Sequence, residues 1–457
     1  MAPASLSWST GPAAIRRRGA SRFPQDPIIA MKLPSLAALV LLFATPIASH
    51  AAPPDSPDPK PAVPVPQAVP RPAPPGTDGG PTPPPPAIDA RSWVLMDYAS
   101  GQILAGENED MRVAPASITK VMTSYVVSSE IANGKVRLDD EVFISEHAWR
   151  AGGAGTDGST SFLQLNSKVP LKDLLYGMII QSGNDAAIAL AEHVAGSEAT
   201  FAELMNQYAA RLGMNGTHYM DASGLPNADH YTTARDVATL SRALIHDFPD
   251  DYRIYSIKEF EWNGIKQHNR NTLLWRDESV DGIKTGHTSE AGFCLATSAR
   301  RGDQRLIGVV MGASSEKQRA NDNQALLNYG FRFFESRKLY AGGAPLAEPE
   351  LWKGEAGSLP LGVTEDVVVT FPRGRYGDLK ASLDMPARLE APIGKGKAVG
   401  RLKVTMGDTL LLERPLVALA DGAEGGFFKR LTDGAWLWFK GDAGPDISAT
   451  APATQSP

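Results

Sequence analysis

Cysteine is almost absent from the chain of 457 residues, so the fold cannot rely on disulfide bonds within the chain. Cys294 is its single cysteine, so no disulfide can form within the chain. Because Cys294 stands in an apolar run, we expect it to be a small buried side chain. The formal net charge of -6 is modest. The sequence lacks the strongly basic composition of nucleic-acid-binding proteins, and no nucleic-acid partner is expected.

Histidines are also few, and their spacing does not indicate a metal site. The chain contains 8 histidines, and His147, His193, His218 and His230 lack the spacing of zinc ligands. We therefore expect no metal and no other cofactor. The chain is long enough for two or three domains, and its hydrophobic content of 42% allows sizeable cores.

Residues 1–51 have the features of a leader that contains a signal peptide. Met31 precedes a lysine, an apolar run from residue 33 to 47 and a group of small residues. This run is shorter than the ~20 residues that span a bilayer. Either Met1 begins a long basic segment or Met31 is the true start, and the usual position of a signal peptide favours Met31. The sequence predicts an exported, periplasmic protein whose mature chain begins near Ala52.

Residues 52–87 are dominated by proline. Proline has no backbone N–H group, so this segment is expected to be a disordered, polyproline-like linker. Its simplest function is to tether the globular part that begins at residue 88.

Ser117 and Lys120 form an S-x-x-K motif at the start of a predicted helix. Pro115 suits a helix start, and apolar residues at helical spacing continue to the stop signal Asn133-Gly134. Residues three apart on a helix are neighbours, so the Lys120 amine is expected beside the Ser117 hydroxyl. A serine becomes a nucleophile when a base is held next to it, and a lysine with a lowered pKa can be that base. A single S-x-x-K match is nevertheless common by chance.

Two more short motifs follow in the chain. Ser182 and Asn184 lie on a predicted turn between two helices, with their polar side chains pointing the same way. The sequence K-T-G at residues 284–286 lies on a strand that is predicted to start at Val280. Each of these motifs is unremarkable when it is taken alone.

The three motifs in this order resemble the set found in penicillin-binding proteins and class A β-lactamases, with Gly183 where that set has aspartate. The S-G-N form is similar to that of the low-molecular-mass penicillin-binding proteins that are serine-type D-alanyl-D-alanine carboxypeptidases. The resemblance covers about residues 88–440. It also includes the segments 268–271 and 329–334 and the extension of K-T-G to K-T-G-H-T.

The resemblance implies a role for each motif residue. Ser117 would attack the carbonyl of the penultimate D-Ala of a peptidoglycan stem peptide, and Lys120 would be its general base. Ser182 and Lys284 would relay the proton to the leaving D-Ala amine. Asn184 would bind the substrate amide and orient Lys120. Penicillin and other β-lactams would react with the same serine.

Other residues would bind the substrate. The backbone N–H groups of Ser117 and His287 would form the oxyanion hole, which is typically worth ~3 kcal/mol per donor. Thr285, followed by Gly286, would bind the terminal carboxylate. Arg319, expected just before the closing helix, would help to neutralise that carboxylate.

The expected fold class is α+β. A penicilloyl serine transferase or β-lactamase-like catalytic domain, an antiparallel sheet with helices on both sides, would occupy residues 88–342. Its first strand is expected at Ser92–Asp97, and its closing helix shows helical spacing from Ala325. Short strands with glycine and proline turns predict a small β-sandwich domain at residues 343–426.

The C-terminal segment 427–440 is predicted to be an amphipathic helix that tethers the enzyme to the outer face of the cytoplasmic membrane. Phe427, Phe428 and Leu431 fall on one side of a helical wheel, opposite basic residues. The alternative is that the two phenylalanines dock on the β domain. Residues 441–457 are expected to be disordered.

Three rival functions are open to the sequence. A class A β-lactamase would carry an E-x-x-L-N stretch between Ser182 and Lys284, and none is present. A DD-endopeptidase that cleaves cross-links would share all three motifs, but the β-rich second domain favours the carboxypeptidase. A non-catalytic cell-wall scaffold would not need Ser117 and the motif lysines. The preferred interpretation is a carboxypeptidase in cell-wall biogenesis and cell shape.

Overall fold

The computed structural model describes residues 82–153, 158–440 and 447–450. The predicted leader and most of the predicted linker lie outside the described residues. Residues 82–87 of the linker are described, and they pack instead of standing free: the Tyr329 hydroxyl donates a hydrogen bond to the Pro83 carbonyl oxygen at 2.9 Å. The prediction of disorder therefore does not hold for this end of the linker, because the globular part provides a donor for its backbone.

A five-stranded antiparallel sheet is the centre of the first domain, with the strand order β2-β1-β9-β8-β7. Two small two-stranded sheets, β3–β4 and β5–β6, are separate from it. The strands are β1 (Ser92–Asp97), β2 (Ile103–Glu107), β3 (Glu141–Phe143), β4 (Lys168–Pro170), β5 (Glu259–Trp262), β6 (Ile265–His268), β7 (Val280–Thr288), β8 (Gly292–Arg301) and β9 (Gln304–Ala313).

Helices cover both faces of this sheet. They are α1 (Lys120–Ala132), α2 (Glu146–Gly152), α3 (Leu171–Tyr176), α4 (Asn184–Ala195), α5 (Glu198–Arg211), α6 (Ala234–Asp247), α7 (Pro249–Tyr252), α8 (Leu273–Arg276) and α9 (Glu316–Phe333). Short non-α turns occur at Ala116–Thr119, Gly177–Gln181, Arg253–Ser256 and, in the second domain, Tyr376–Asp378.

The alternation of side chains along β1 explains the two layers of helices. Val94 and Met96 enter the core that α1, α4 and α6 share, whereas Trp93 and Leu95 enter the core beneath α8 and α9. Successive side chains of a strand point to opposite faces, so a strand with apolar side chains on both faces must be covered on both sides. The predicted α+β class with helices on both sides is confirmed. Cys294 is buried, as predicted.

The closing helix α9 begins earlier than the sequence pattern indicates. Ser315 caps it by accepting a hydrogen bond from the Gln318 backbone N–H, and the helix starts at Glu316 instead of near Ala325. Its first half is polar, so the apolar spacing does not reveal it. Arg319 therefore lies inside the helix and not before it.

The second domain is β-rich, with the pairs β10–β14 and β12–β16 and a six-stranded sheet in the order β11-β13-β18-β17-β15-β19, in which β19 is Ile447–Thr450. Its strands up to β18 are β10 (Phe334–Tyr340), β11 (Pro345–Ala347), β12 (Leu351–Trp352), β13 (Leu361–Gly362), β14 (Val367–Pro372), β15 (Leu379–Met385), β16 (Leu389–Glu390), β17 (Ala398–Met406) and β18 (Thr409–Ala418).

Strand β10 connects the cores of the two domains. Phe334 at its start is buried with the first domain, whereas Leu339 and Tyr340 at its end belong to the core of the second. The Ser336 hydroxyl between them donates to Oδ2 of buried Asp97 at 2.6 Å. The pairing of β10 with β14 starts the β domain before the predicted boundary at residue 343, because no linker separates α9 from β10.

The C-terminal part contains helix α10 (Phe427–Lys440) and strand β19 (Ile447–Thr450). Strand β19 pairs antiparallel with β15, so the expected disorder of residues 441–457 does not hold at residues 447–450. The other edge of β15 offers unpaired backbone groups for this pairing. Residues 441–446 and 451–457 lie outside the described residues. In the described part of the chain, no helix is long and apolar enough to cross a membrane.

Candidate active site

Ser117 lies in a tight turn that leads directly into α1. The turn spans Ala116–Thr119, and the buried side chains of Ala116 and Ile118 fix it on both sides of the serine. Ser117 itself is half-buried and lines a cleft of about 1320 Å³. The nucleophile candidate therefore lies on a packed turn at the wall of this cleft.

The Lys120 amine makes three hydrogen bonds. Its Nζ atom lies 2.9 Å from Ser117 Oγ, 2.7 Å from Asn184 Oδ1 and 2.7 Å from the carbonyl oxygen of Ser223. An ammonium group has three N–H donors, and these three acceptors satisfy them all. When the amine is neutral, its lone pair can instead accept the proton of the neighbouring Ser117 hydroxyl.

Burial prepares Lys120 for this task. Its side chain is 1% exposed, and burial lowers its pKa from 10.5 to about 7. The negative charges of Asp221, Asp185 and Glu198 oppose this shift, and the positive charge of Arg270 adds to it. At neutral pH a substantial fraction of Lys120 is neutral, which is the state that a general base needs.

Ser182 and Asn184 approach Ser117 from the junction of two helical segments. The turn Gly177–Gln181 ends at Ser182, whose φ of 71° reverses the chain, and Asn184 is the first residue of α4. Both side chains are buried and line the same cleft as Ser117. This geometry brings the predicted S-x-N pair to the S-x-x-K pair.

Asp185 fixes the neighbouring wall of the cleft. Its carboxylate accepts hydrogen bonds from Thr160 Oγ1 at 2.8 Å and from the backbone N–H groups of Ser161 and Leu163 at 2.8 and 3.1 Å. These contacts place Phe162, which has a φ of 60° and lines the cleft, at the rim. The Asp185 carboxylate therefore stabilises the backbone of this wall.

Strand β7 carries the K-T-G sequence along the opposite wall. Lys284 is buried, and its Nζ atom donates to the Thr285 carbonyl oxygen at 3.1 Å. Burial lowers the pKa of Lys284 well below its ordinary value, and the charges of Lys120, Arg270 and Arg319 lower it further. Lys284 thus belongs to the same electrostatic cluster as Lys120.

Gly286 allows β7 to approach the turn that carries Ser117. A Cβ atom at residue 286 would lie 3.0 Å from the Pro115 carbonyl oxygen and 3.2 Å from Cβ of Ala116. Such distances are too short for a relaxed contact, so the position favours glycine. Next on the strand, His287 is exposed and its ring lies 4.1 Å from the ring of Phe293.

Arg319 reaches the cleft from α9. It is buried, its Nη1 atom donates to the Gly286 carbonyl oxygen at 3.2 Å, and its Nη2 atom lies 2.9 Å from Glu316 Oε1. Arg270 also lines the cleft, from the segment after β6, and is exposed. These two arginines place positive charge at the wall of the cleft, which suits an anionic ligand group.

Sequence reasoning missed the segment 221–225, which supplies the third partner of Lys120. The contribution of Ser223 is a backbone carbonyl group, and a backbone contact leaves no side-chain motif. The available signal is Gly224: it has a φ of 89°, and a Cβ atom there would overlap the Ala116 carbonyl oxygen.

Comparison with known proteins identifies the family. The profile described as D-alanyl-D-alanine carboxypeptidase matches residues 80–315, which is just over half of the chain. The chain belongs to the D-alanyl-D-alanine carboxypeptidase family. A second profile, the C-terminal domain of penicillin-binding protein 5, matches residues 334–424. The resemblance deduced from the three motifs is confirmed.

Individual relatives of this D-alanyl-D-alanine carboxypeptidase family member agree with the profiles. The D-alanyl-D-alanine carboxypeptidase DacC of Escherichia coli is 44% identical over 355 residues, which are 77% of this chain and 89% of that protein. DacF of Bacillus subtilis is 34% identical over 77% of this chain and 91% of its own length. The structure of penicillin-binding protein 5 from Haemophilus influenzae, 41% identical, has a TM-score of 0.72 and covers 74% of this chain and 99% of that chain.

In the described part of this family member, no three His, Cys, Asp or Glu side chains are arranged as a possible metal site.

Proposed function

We propose that the protein is a serine-type D-Ala-D-Ala carboxypeptidase that removes the terminal D-alanine from peptidoglycan stem peptides through an acyl-enzyme. The observation that carries the proposal is the contact of Lys120 Nζ with Ser117 Oγ at 2.9 Å, together with a Lys120 pKa lowered by burial to about 7. Membership of the family supplies the substrate class.

Acylation begins with the transfer of the Ser117 hydroxyl proton to neutral Lys120. The Oγ atom then attacks the carbonyl carbon of the penultimate D-Ala, and the carbonyl oxygen becomes an oxyanion. Backbone N–H groups of Ser117 and His287 donate hydrogen bonds to this oxyanion, and each donor in such a site typically stabilises the transition state by ~3 kcal/mol. Asn184 holds Lys120 through Oδ1 and leaves its amide N–H₂ group for the substrate.

Collapse of the tetrahedral intermediate breaks the peptide bond and needs a proton on the leaving nitrogen. We assign to Ser182 and Lys284 the relay that carries the proton from Lys120 to this nitrogen, because a hydroxyl both accepts and donates and burial lowers the pKa of Lys284, which makes its ammonium group a readier proton donor. Free D-alanine leaves, and water then hydrolyses the ester on Ser117. Lys120 activates this water in the same way as it activated the serine.

The terminal carboxylate of the substrate binds at the β7 end of the cleft. Thr285 offers a hydroxyl group, and Arg319 offers a guanidinium whose position is fixed by its bond to Gly286. β-Lactams, which combine a carboxylate with a reactive amide, would bind in the same orientation and acylate Ser117.

The protein would work outside the cytoplasm, in the periplasm at the outer face of the inner membrane. The signal-peptide pattern of the leader supports export. For the attachment, α10 carries Phe427, Phe428 and Leu431 with exposures of 66, 81 and 60%. Exposed aromatic residues next to Lys429 and Arg430 suit insertion into a membrane interface.

The decisive experiment treats the purified protein with a D-Ala-D-Ala stem peptide and, separately, with penicillin. Wild type should release D-alanine and gain one penicilloyl adduct, which peptide mapping should find on Ser117. The Ser117→Ala variant should do neither while remaining folded. Release of D-alanine by Ser117→Ala, or an adduct elsewhere in wild type, would overturn the proposal.

A further inference from the structure

The five residues Asp221–Leu225 form a turn that we call the lysine-holding turn, because its Ser223 carbonyl oxygen accepts a hydrogen bond from Lys120 Nζ at 2.7 Å. Asp221 organises this turn. Its Oδ1 atom accepts hydrogen bonds from the backbone N–H groups of Ser223 and Gly224 at 2.7 and 2.6 Å. The same atom accepts the Ser223 hydroxyl at 3.1 Å. The direction of the Ser223 carbonyl therefore depends on one carboxylate.

The preceding peptide group of the turn is held on both sides. The Ala222 N–H donates to Glu198 Oε1 at 3.1 Å, and the Ala222 carbonyl oxygen accepts the Thr123 hydroxyl at 2.6 Å. Glu198 lies in α5 and Thr123 in α1. The lysine-holding turn is thus fixed to the helix that carries Lys120 itself.

His230 links the other carboxylate oxygen of Asp221 to the turn that carries Ser117. The ring is 2% exposed, with Nδ1 3.3 Å from Asp221 Oδ2 and Nε2 3.0 Å from Thr119 Oγ1. An ionised carboxylate can only accept, so a hydrogen bond between Nδ1 and Asp221 requires a proton on Nδ1, while Nε2 lies within hydrogen-bond distance of the Thr119 hydroxyl. Asp221, His230 and Thr119 form a continuous chain of buried hydrogen bonds behind Ser117 and Lys120.

We propose that Asp221 is a positioning residue for acylation: it fixes the Ser223 carbonyl on Lys120, keeps a negative charge near the base, and is itself oriented by His230. The inference rests on the proposed function, in which Lys120 is the general base. It assigns a task to a residue outside the three motifs.

The charge of Asp221 affects the pKa of Lys120 and therefore the pH dependence of acylation. Asp221, Asp185 and Glu198 raise the pKa of Lys120 against the effect of burial, and Asp221 is the strongest of the three. Arg270 acts in the opposite direction, and Lys284 is the other cation coupled to Lys120.

Asp221 remains ionised in the working range. Burial raises its pKa, but hydrogen bonds from His230 and from the backbone of Gly224 and Ser223 bring the pKa down to about 2. Its negative charge is therefore present at every pH at which Lys120 titrates.

The charge of Asp221 is tested by Asp221→Asn, in which Oδ1 can still accept the backbone N–H groups. The rate of Ser117 acylation by penicillin is measured against pH for the full-length protein. Without the negative charge the Lys120 pKa falls, so the acid limb of the profile should move to lower pH, by about one unit. The matched control is Asp229→Asn, which removes an exposed carboxylate nearby in the chain and should leave the acid limb where it is.

The positioning role is tested separately by His230→Gln, which keeps the charge of Asp221 and removes its orienting partner. Acylation should slow about tenfold or more at all pH values, because a misplaced base loses efficiency while its pKa changes little. An acid limb that Asp221→Asn leaves unmoved in folded protein would overturn the role of the charge. An unchanged plateau in His230→Gln would overturn the positioning role.

The two proposals fail in different ways. If wild type forms no adduct on Ser117 and releases no D-alanine, the proposed function is wrong. If wild type does both and the variants behave like Asp229→Asn, only the inference about Asp221 is wrong. Should Asp221→Asn fail to fold, Asp221→Glu in its place retains the charge, so it should keep the acid limb while it lowers the plateau.

Discussion

The guanidinium of Arg319 donates through Nη1 to the carbonyl oxygen of Gly286 at 3.2 Å, so a side chain of α9 is tied to the strand that carries K-T-G. The contact spans 33 residues of sequence and fixes a buried positive charge at the end of the cleft. The Nη2 atom of Arg319 also donates to the Glu316 carboxylate. The remaining N–H groups of the guanidinium can bind a ligand.

The first prediction concerns this arginine. Arg319→Ala should reduce D-alanine release by orders of magnitude without abolishing it, because a charge pair in a partly dry cleft is worth a few kcal/mol. Steady-state assays with a stem peptide measure the loss. Lys317→Ala removes an exposed cation from the same helix turn and should be nearly neutral. Wild-type activity in Arg319→Ala would mean that another group binds the carboxylate.

The second prediction is a pH dependence. Because burial lowers the Lys120 pKa to about 7 and the neutral amine is the base, kcat/KM should rise with pH through about 7. Lys120→Ala should remain folded and acylate far more slowly, without this acid limb. The rate of penicillin acylation at a series of pH values measures both effects. A Lys120→Ala protein with the wild-type acylation rate would contradict the role of the base.

The third prediction tests the close approach of β7 to the Ser117 turn. Gly286→Ala adds a methyl group 3.0 Å from the Pro115 carbonyl oxygen, so β7 must move away. We expect a stability loss of about 1–3 kcal/mol and a slower acylation. Denaturant unfolding and penicillin acylation measure these effects. Gly377→Ala has open space around its new Cβ atom and is the control. Equal stability and activity in the two variants would refute the packing argument.

The sequence was sufficient to predict the contact between Ser117 and Lys120, but not the other groups that bind Lys120. Ser117 and Lys120 are three residues apart on a helical segment, so their contact follows from local geometry. Asn184 could be placed beside them only through the family resemblance, because no local rule brings residue 184 to residue 120. The Ser223 carbonyl could not be foreseen, since backbone acceptors carry no sequence pattern.

The same distinction applies to the fold. The pattern of Ser92–Asp97 is apolar at most positions, and the strand that it predicts is present. The start of α9 was missed because a serine cap and a polar first half, not apolar spacing, define it. Pairing of β19 with β15 was missed because it depends on a sheet edge more than 60 residues earlier in the chain.

The last prediction concerns attachment to the membrane. Phe427, Phe428 and Leu431 are exposed on α10, and burying such side chains in a bilayer interface contributes about 1.5–3 kcal/mol each. Replacing all three by serine should therefore move the protein from the membrane fraction to the soluble periplasm, with penicillin binding intact. Fractionation after signal cleavage, followed by a fluorescent penicillin, measures both.

The substitution leaves β19 in place, so it tests the exposed surface of the helix separately from the whole C-terminal segment. Deletion of that segment (427–457) should release the protein in the same way. The control is Thr432→Ser, an exposed position on the same helix. If the triple variant stays on the membrane while the deletion is released, attachment depends on other residues of the segment 427–457; if both stay, it depends on a segment before residue 427.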